Sequence, residues 1–283
     1  MRTFQFFHVR INFASAKLVH FLDICKFLRI FFAYIKKKQY LCRRYMKHMH
    51  KIFLIITAVV MSATAYAGTP EVYIPAEQLP HLLAIMPAPP AFNSPEFASD
   101  EVRYNWGKEQ RRDSARLAIA IADAEWDNME VLLNRWQEAF GMPISETATP
   151  HIYALLVNSI TTVDPMRIEP KAYYHRQRPF ERYGDSMPSH EESFLRGEGS
   201  YPSGHSLRGW LIGLVLAQVA PERAEAILAR SWDYCNSRVI VGAHWQSDVD
   251  NSRTAASVGF CALQGSDRFR AHLLEAQREY KTH

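Results

Sequence analysis

Glycine supplies only 12 of the 283 residues and cysteine only four. A glycine-poor chain with 48% apolar and 22% charged residues is not collagen-like, low in complexity or disordered. It carries no internal repeat, and runs of alternating β-branched residues are scarce, so neither a repeat architecture nor a β-rich core is indicated. No apolar run reaches the ~20 residues that a spanning helix needs. Asp, His and Cys nowhere fall at a metal-ligand spacing, so neither a metal nor any other cofactor is expected. Acidic residues are almost missing from the start of the chain. Residues 1–67 hold 12 Lys and Arg against a single acid, Asp23, and carry +11; residues 68–283 hold 21 basic and 28 acidic residues and carry −7. The overall +4 therefore belongs to the N-terminal segment, and the acidic body is no nucleic-acid binder.

From Met46 the chain has the three parts of a secretory signal peptide. Lys47 and Lys51 form a basic start, Ile52 to Met61 an apolar run, and Ala65-Tyr66-Ala67 a small-residue cleavage site, with cleavage expected after Ala67. The apolar run is short for a membrane anchor. His48 and His50 lie inside this segment and are not a metal site. Residues 1–45 admit two readings: a basic amphipathic helix at a membrane surface, or an upstream start codon with translation from Met46 or Met49. The second is preferred, because secretory signals sit at the true N-terminus. The expected product is periplasmic and has no stable membrane insertion. Of the two cysteines beyond Ala67, Cys235 and Cys261 form either a disulfide or two thiols on separate helices.

Three parts are expected: residues 1–67 as extension plus signal peptide, 68–100 as an extended proline-rich arm, and 101–283 as an all-α domain. The arm contains Pro87-Ala88-Pro89-Pro90. Helical patterns follow from Ser114 to a stop at Gly141, then over 152–160, 207–219, 222–237, 247–263 and 269–280. The segment 210–217 is apolar all round and ends at Gln218 and Pro221, which makes it a central core helix. The fold class is all-α, a single compact helical domain around a buried bundle.

Three segments carry chemistry. In 171–179, Lys171 and Arg178 are two cations seven apart, with Pro179 disfavouring helical geometry at Arg178. In 201–206, Ser203 and Gly204 precede an apolar helix whose first N–H groups, with the serine hydroxyl, form an anion site beside His205. In 237–248, His244 and Asp248 stand four apart, which puts them on one helix face if the helix includes both. The carboxylate can then accept the Nδ1 proton and leave Nε2 as nucleophile or base, while Arg238 adds a planar fork suited to phosphate. Taken singly, these read as a solvated basic face including Arg176, an ordinary N-cap serine and a surface i,i+4 pair. Together they supply three cations, a backbone anion nest, a hydroxyl, two histidines and an orienting carboxylate, a kit for phosphoryl transfer through a covalent intermediate.

The pattern K-x6-R-P, P-S-G-H, S-R-x5-H-x3-D resembles the type 2 phosphatidic acid phosphatase and vanadium haloperoxidase superfamily. The wording GSYPSGHS and SRVIVGAHWQSDVD is similar to the class A bacterial non-specific acid phosphatases. The resemblance implies that His244 attacks phosphorus, Asp248 orients it, and His205 protonates the leaving alcohol and later activates water. It also implies that Lys171, Arg178, Ser203, Gly204 and Arg238 hold the phosphoryl oxygens, without a metal. It implies small phosphorylated substrates such as nucleotides, sugar phosphates and aryl phosphates, an acidic to mildly acidic optimum, and a homodimer or larger homo-oligomer. Residues 182–200, with His190 and Gly197 to Gly199, are expected to rim the pocket. An apyrase-like action on nucleoside di- and triphosphates is a variant in the same site. The competing functions are a vanadate-dependent haloperoxidase, a membrane lipid phosphatase and a non-catalytic phospholigand-binding protein.

Overall fold

A computed structural model of the protein describes residues 70–283 and, outside them, only Lys26. The chain divides into two units, Met1–Ala67 and Gly68–His283, and the account below concerns the second. The expected signal peptide and residues 1–45 lie outside the described residues. Among the described residues there is no strand, and the fold is all-α. The helices of seven residues or more are α1 (Pro95–Gln110), α2 (Ser114–Ala124), α3 (Pro150–Val163), α4 (Ile168–Tyr174), α5 (Gly204–Val219), α6 (Ala224–Ile240), α7 (Gln246–Gln264) and α8 (Asp267–Thr282).

Local chemistry explains the starts and stops. Ser94 caps α1 by accepting the Phe97 N–H at 3.2 Å, with Pro95 at the first helical position. Asp113 caps α2 through the N–H groups of Ala115 and Arg116. The helical pattern expected between Ser114 and Gly141 breaks after Ala124 and resumes in short pieces from Met129. It ends at Gly141, where φ is +92°, a left-handed conformation that glycine adopts without steric cost.

α5 is the central helix, packed between α6 and α7 and touching α3 and α8. Its middle, residues 209–217, is apolar and mostly buried, as suits a helix packed on several sides. Its faces approach α6 closely because of two glycines. A Cβ on Gly209 would stand 2.2 Å from Tyr234 Cδ1, and one on Gly213 would stand 2.0 Å from Ser231 Oγ. This contact sets the end of α6, which carries Ser237 and Arg238, beside the start of α5, which carries Ser203 and Gly204.

The proline-rich arm departs from the expectation in two ways. It is not extended throughout, since Ala76–Gln78 and Leu82–Ile85 are helical and α1 begins already at Pro95. It also buries Tyr73, Leu79, Leu82 and Met86 in the core. The arm gains enough apolar contact there to offset the entropy of ordering it. Hydrogen bonds fasten it: Glu71 N–H donates to Asn158 Oδ1 at 2.8 Å, and the Tyr201 hydroxyl donates to the Pro87 carbonyl at 2.6 Å.

Cys235 and Cys261 are free thiols on α6 and α7, the first buried and the second exposed. Burial raises the Cys235 thiol to about 12, so it stays protonated and unreactive. No helix of the described residues is long and apolar enough to cross a membrane.

Candidate active site

The three motif segments meet at one end of α5. Lys171 lies in α4. α4 ends at Tyr174, His175 turns left-handed, and Arg178 is extended (φ −75°, ψ 154°), as the proline after it requires. Both cations turn inward. Lys171 Nζ donates to the Gly199 carbonyl at 2.6 Å, and Arg178 Nη2 donates to the same oxygen at 3.1 Å. Arg178 also donates to the carbonyls of Leu195, Glu198 and Ala243. Burial first, then the charges of Arg178 and Arg167, pull the Lys171 ammonium down to about 7. Burial and Arg238 lower Arg178 to about 10, so it stays charged.

Lys171 thus holds its charge below about pH 7 and sheds it as the pH rises further, although Asp248 and Glu198 act to keep it. An anion in this pocket loses one cationic partner over that range. Lys171→Arg places a permanent charge there, so the alkaline fall of kcat/KM is expected to shift to higher pH. A pH–rate profile that does not move would remove Lys171 from the pocket.

Ser203 is the N-cap of α5 and Gly204 its first residue. Ser203 Oγ accepts the Ser206 N–H at 3.2 Å, which leaves its own proton available to a ligand. The Ser203 N–H reaches the Asp248 carbonyl at 3.4 Å and ties this segment to α7. At Gly204 the requirement is space: a Cβ would come 3.1 Å from Arg167 Cδ and Nε.

His244 is buried (2% exposed) but does not lie on a helix. α7 begins at Gln246, so the shared helix face inferred from the spacing does not exist. Asp248 still turns toward His244, but its Oδ2 is 3.6 Å from Nδ1, outside hydrogen-bonding distance. Both carboxylate oxygens are engaged elsewhere. Oδ2 accepts the Trp245 N–H at 2.9 Å, and Oδ1 takes Arg176 Nη1 at 2.6 Å. The expected direct Asp248–His244 bond is therefore replaced by a near contact. The imidazole tautomer is set from the other side. Arg178 Nη1 stands 3.1 Å from His244 Nε2, and a guanidinium can only donate. Nε2 is therefore the lone-pair nitrogen and the proton sits on Nδ1. Burial, then Arg178, Lys171 and Arg238, push the His244 pKa well below its ordinary value, while a backbone contact at Ser200 acts the other way. His244 stays neutral into the acid range.

Arg238 lies in the last turn of α6 and is completely buried. Its neighbour Ser237 is fixed by a 2.7 Å bond to the buried Asp123. His205, on the first turn of α5, lies with Nε2 3.1 Å from the Ala124 carbonyl and 3.3 Å from Trp126 Nε1. Burial and the charges of Arg238 and Arg208 lower its pKa strongly.

Sequence reasoning missed two residues here. Arg176, read as part of a solvated face, is buried and bridges two buried carboxylates, Asp248 at 2.6 Å and Asp100 of α1 at 2.8 Å. Its sequence signal was absent, because Asp100 falls in what looked like the end of the arm. Glu191 is buried as well and pairs with Arg238 at 2.8 Å. It lies in the expected rim but in none of the three motifs.

The fold and the site together set two histidines of lowered pKa among Lys171, Arg178 and Arg238 in an all-helical domain. The sequence profile of the PAP2 superfamily matches residues 147–263, which include all three motifs. The non-specific acid phosphatase of Providencia stuartii is 37% identical over 210 residues, covering 74% of this chain and 84% of that protein. That of Salmonella typhimurium is 33% identical over 236 residues, covering 83% and 93%. The acid phosphatase of Zymomonas mobilis is 33% identical over 199 residues, covering 70% and 74%. The chain belongs to the PAP2 superfamily, among the bacterial non-specific acid phosphatases. It is an enzyme, a phosphatase.

Proposed function

We propose that the protein hydrolyses small phosphate monoesters, such as nucleotides, sugar phosphates and aryl phosphates, through a phosphohistidine at His244. The observation that carries this is the Nε2 lone pair of a neutral, buried His244 held against Arg178, with Lys171 and Arg238 close enough to depress its pKa. In the first step Nε2 attacks phosphorus and the bond from phosphorus to the ester oxygen breaks. His205 gives its proton to the departing alkoxide. The positive charge that develops on the His244 ring is countered by Asp248 at 3.6 Å. In the second step His205 takes a proton from water, the resulting hydroxide attacks phosphorus, and the phosphorus–nitrogen bond breaks. Phosphate leaves and His244 returns to its neutral form.

The phosphoryl group in transit spreads charge over three oxygens, and Lys171, Arg178, Arg238, Ser203 and the Gly204 N–H supply donors around it. His205 must carry a proton for the first step, although the surrounding cations oppose it in the unliganded site. A bound phosphoryl dianion offsets the charge of those cations, and low pH assists, so an acidic optimum is expected. Export to the periplasm, with removal of the segment ending at Ala67, fits the same reading.

The test is to quench a reaction with labelled substrate and locate the label. It is expected on His244, released by acid and stable to alkali as a phosphoramidate is. Label on another side chain, or none during rapid turnover, would overturn the mechanism. Comparing ATP, pyrophosphate and p-nitrophenyl phosphate separates monoesterase from apyrase-like action.

A further inference from the structure

Glu191 immediately precedes the short helix Glu192–Leu195, in the segment that joins the first two motifs. Its side chain is only 8% exposed, unusual for an acid beside an anion pocket. Oε2 lies 2.8 Å from Arg238 Nη1, and Oε1 lies 3.3 Å from His205 Nε2. The contact with Arg238 is close but poorly aligned. None of the three guanidinium nitrogens, nor Glu191 Oε2, has a well-directed hydrogen bond. Arg238 therefore retains the donor fork that suits a tetrahedral oxyanion. The other two cations face neutral carbonyls of the same segment, those of Gly199, Leu195 and Glu198. Arg238 faces a full negative charge.

We propose that Glu191 is a tethered competitor for the phosphoryl seat. In the unliganded enzyme its carboxylate takes the place on Arg238 that a phosphoryl oxygen takes in the complex, and an incoming phosphate ester binds only as Glu191 withdraws. This rests on the reading of the site as a phosphatase pocket. Arg176 shows that one guanidinium in this fold can hold two carboxylates on separate nitrogens, so the competition is for one edge: Glu191 Oε2 stands at Arg238 Nη1, and a phosphoryl oxygen that takes that edge meets it. The apparent affinity for phosphate is then reduced by the fraction of molecules in which Glu191 is out. The backbone around it is held, since the His190 N–H donates to Glu125 Oε1 and the Glu191 carbonyl accepts from Phe194 and Leu195, so withdrawal is a swing of the Glu191 side chain and not an opening of the segment. Substrates with several phosphates would displace Glu191 more readily than a monoester with one, so this residue also bears on substrate choice.

The opposite role is a carboxylate that stays in place and supports His205 as an acid. The two separate on kinetic constants. With Glu191→Gln, KM for p-nitrophenyl phosphate and the inhibition constant of inorganic phosphate are expected to fall by about tenfold, without a matching fall in kcat. The rise in melting midpoint on adding inorganic phosphate is expected to exceed that of the parent. Glu191→Asp, one methylene shorter, should fall between the two, and it carries the comparison if Glu191→Gln does not fold. Unchanged or raised KM and inhibition constants would overturn the proposal. So would a drop in kcat that is larger for alkyl than for nitrophenyl phosphates, which would assign Glu191 to His205. A parent enzyme that hydrolyses no phosphate ester brings down the site reading itself. An active parent with unaltered variants brings down only the competition.

Discussion

Replacing His244 by alanine is expected to lower hydrolysis of p-nitrophenyl phosphate by at least about a thousandfold, because the step that needs a nucleophile has no substitute. The protein should still fold and still bind inorganic phosphate. The His244 ring meets Arg178 within hydrogen-bonding range, and its loss leaves that guanidinium with four backbone carbonyls as acceptors. The cations that receive phosphate lie on α4, the turn after it and α6, none of which depends on the imidazole. The measurement is turnover alongside a phosphate-induced shift in melting midpoint. Residual turnover above a tenth of the parent, with the shift retained, would show that His244 is not the nucleophile. Loss of both would show that the ring organises the pocket rather than attacking phosphorus.

The second large effect falls on stability. Arg176 lies between Asp100 and Asp248, with 4% of its side chain exposed, and also donates to Ser247 Oγ at 2.8 Å. Arg176→Met removes the only guanidinium described between these acids and strands two buried carboxylates. Breaking a buried pair in this way costs about 3–5 kcal/mol. In a domain of this size that corresponds to roughly 10 °C in melting midpoint. Arg176→Lys should recover little, since one ammonium cannot span both partners at these distances. Turnover should fall too, because Asp248 loses the partner that fixes its Oδ1 and is free to swing toward His244 or away from it. A melting midpoint within about 2 °C of the parent would mean that Asp100 and Asp248 are held by their backbone contacts instead. Those contacts are the Ser247 N–H on Asp100 and the Trp245 N–H on Asp248.

Much of the helical layout is legible in the pattern of apolar residues. The expected 207–219 becomes α5 from Gly204, and 247–263 becomes α7 from Gln246. The differences are one helical turn or less, because the polar first turn of a helix carries no apolar periodicity. α1 escaped notice for the same reason. Its buried residues, Phe97, Asp100, Tyr104 and Gly107, include only two large apolar side chains, and it opens in proline-rich sequence. The short helices between Met129 and Phe140 were read as one piece, since their apolar composition does not show where the backbone turns.

The candidate site residues follow from their identity and spacing, and the structure brings the three segments together. The contacts among them were not readable. The spacing of His244 and Asp248 suggested a helix face, yet the helix begins between them, and Asp248 spends its oxygens on Trp245 and Arg176. A cap position and a mid-helix position look alike until the chain entering the helix has been placed. Arg176 and Glu191 were invisible for a related reason. An Arg or Glu in a polar stretch is normally solvated, and only an opposing charge brought from elsewhere justifies its burial.

Sequence by itself determined the helical class, the basic N-terminal segment joined to an acidic body, and the inventory of cations, histidines and hydroxyl that phosphate chemistry requires. These follow from composition and near-neighbour order, which act along the chain. Only the tertiary structure decided which nitrogen of His244 keeps its lone pair, which acid faces Arg238, and that Arg176 is interior. Each of those depends on atoms as many as 76 positions apart arriving within about 3 Å, as Arg176 and Asp100 do. Charge pairing in a dry interior is a matter of final position, and position is set by how α1, α5, α6 and α7 pack.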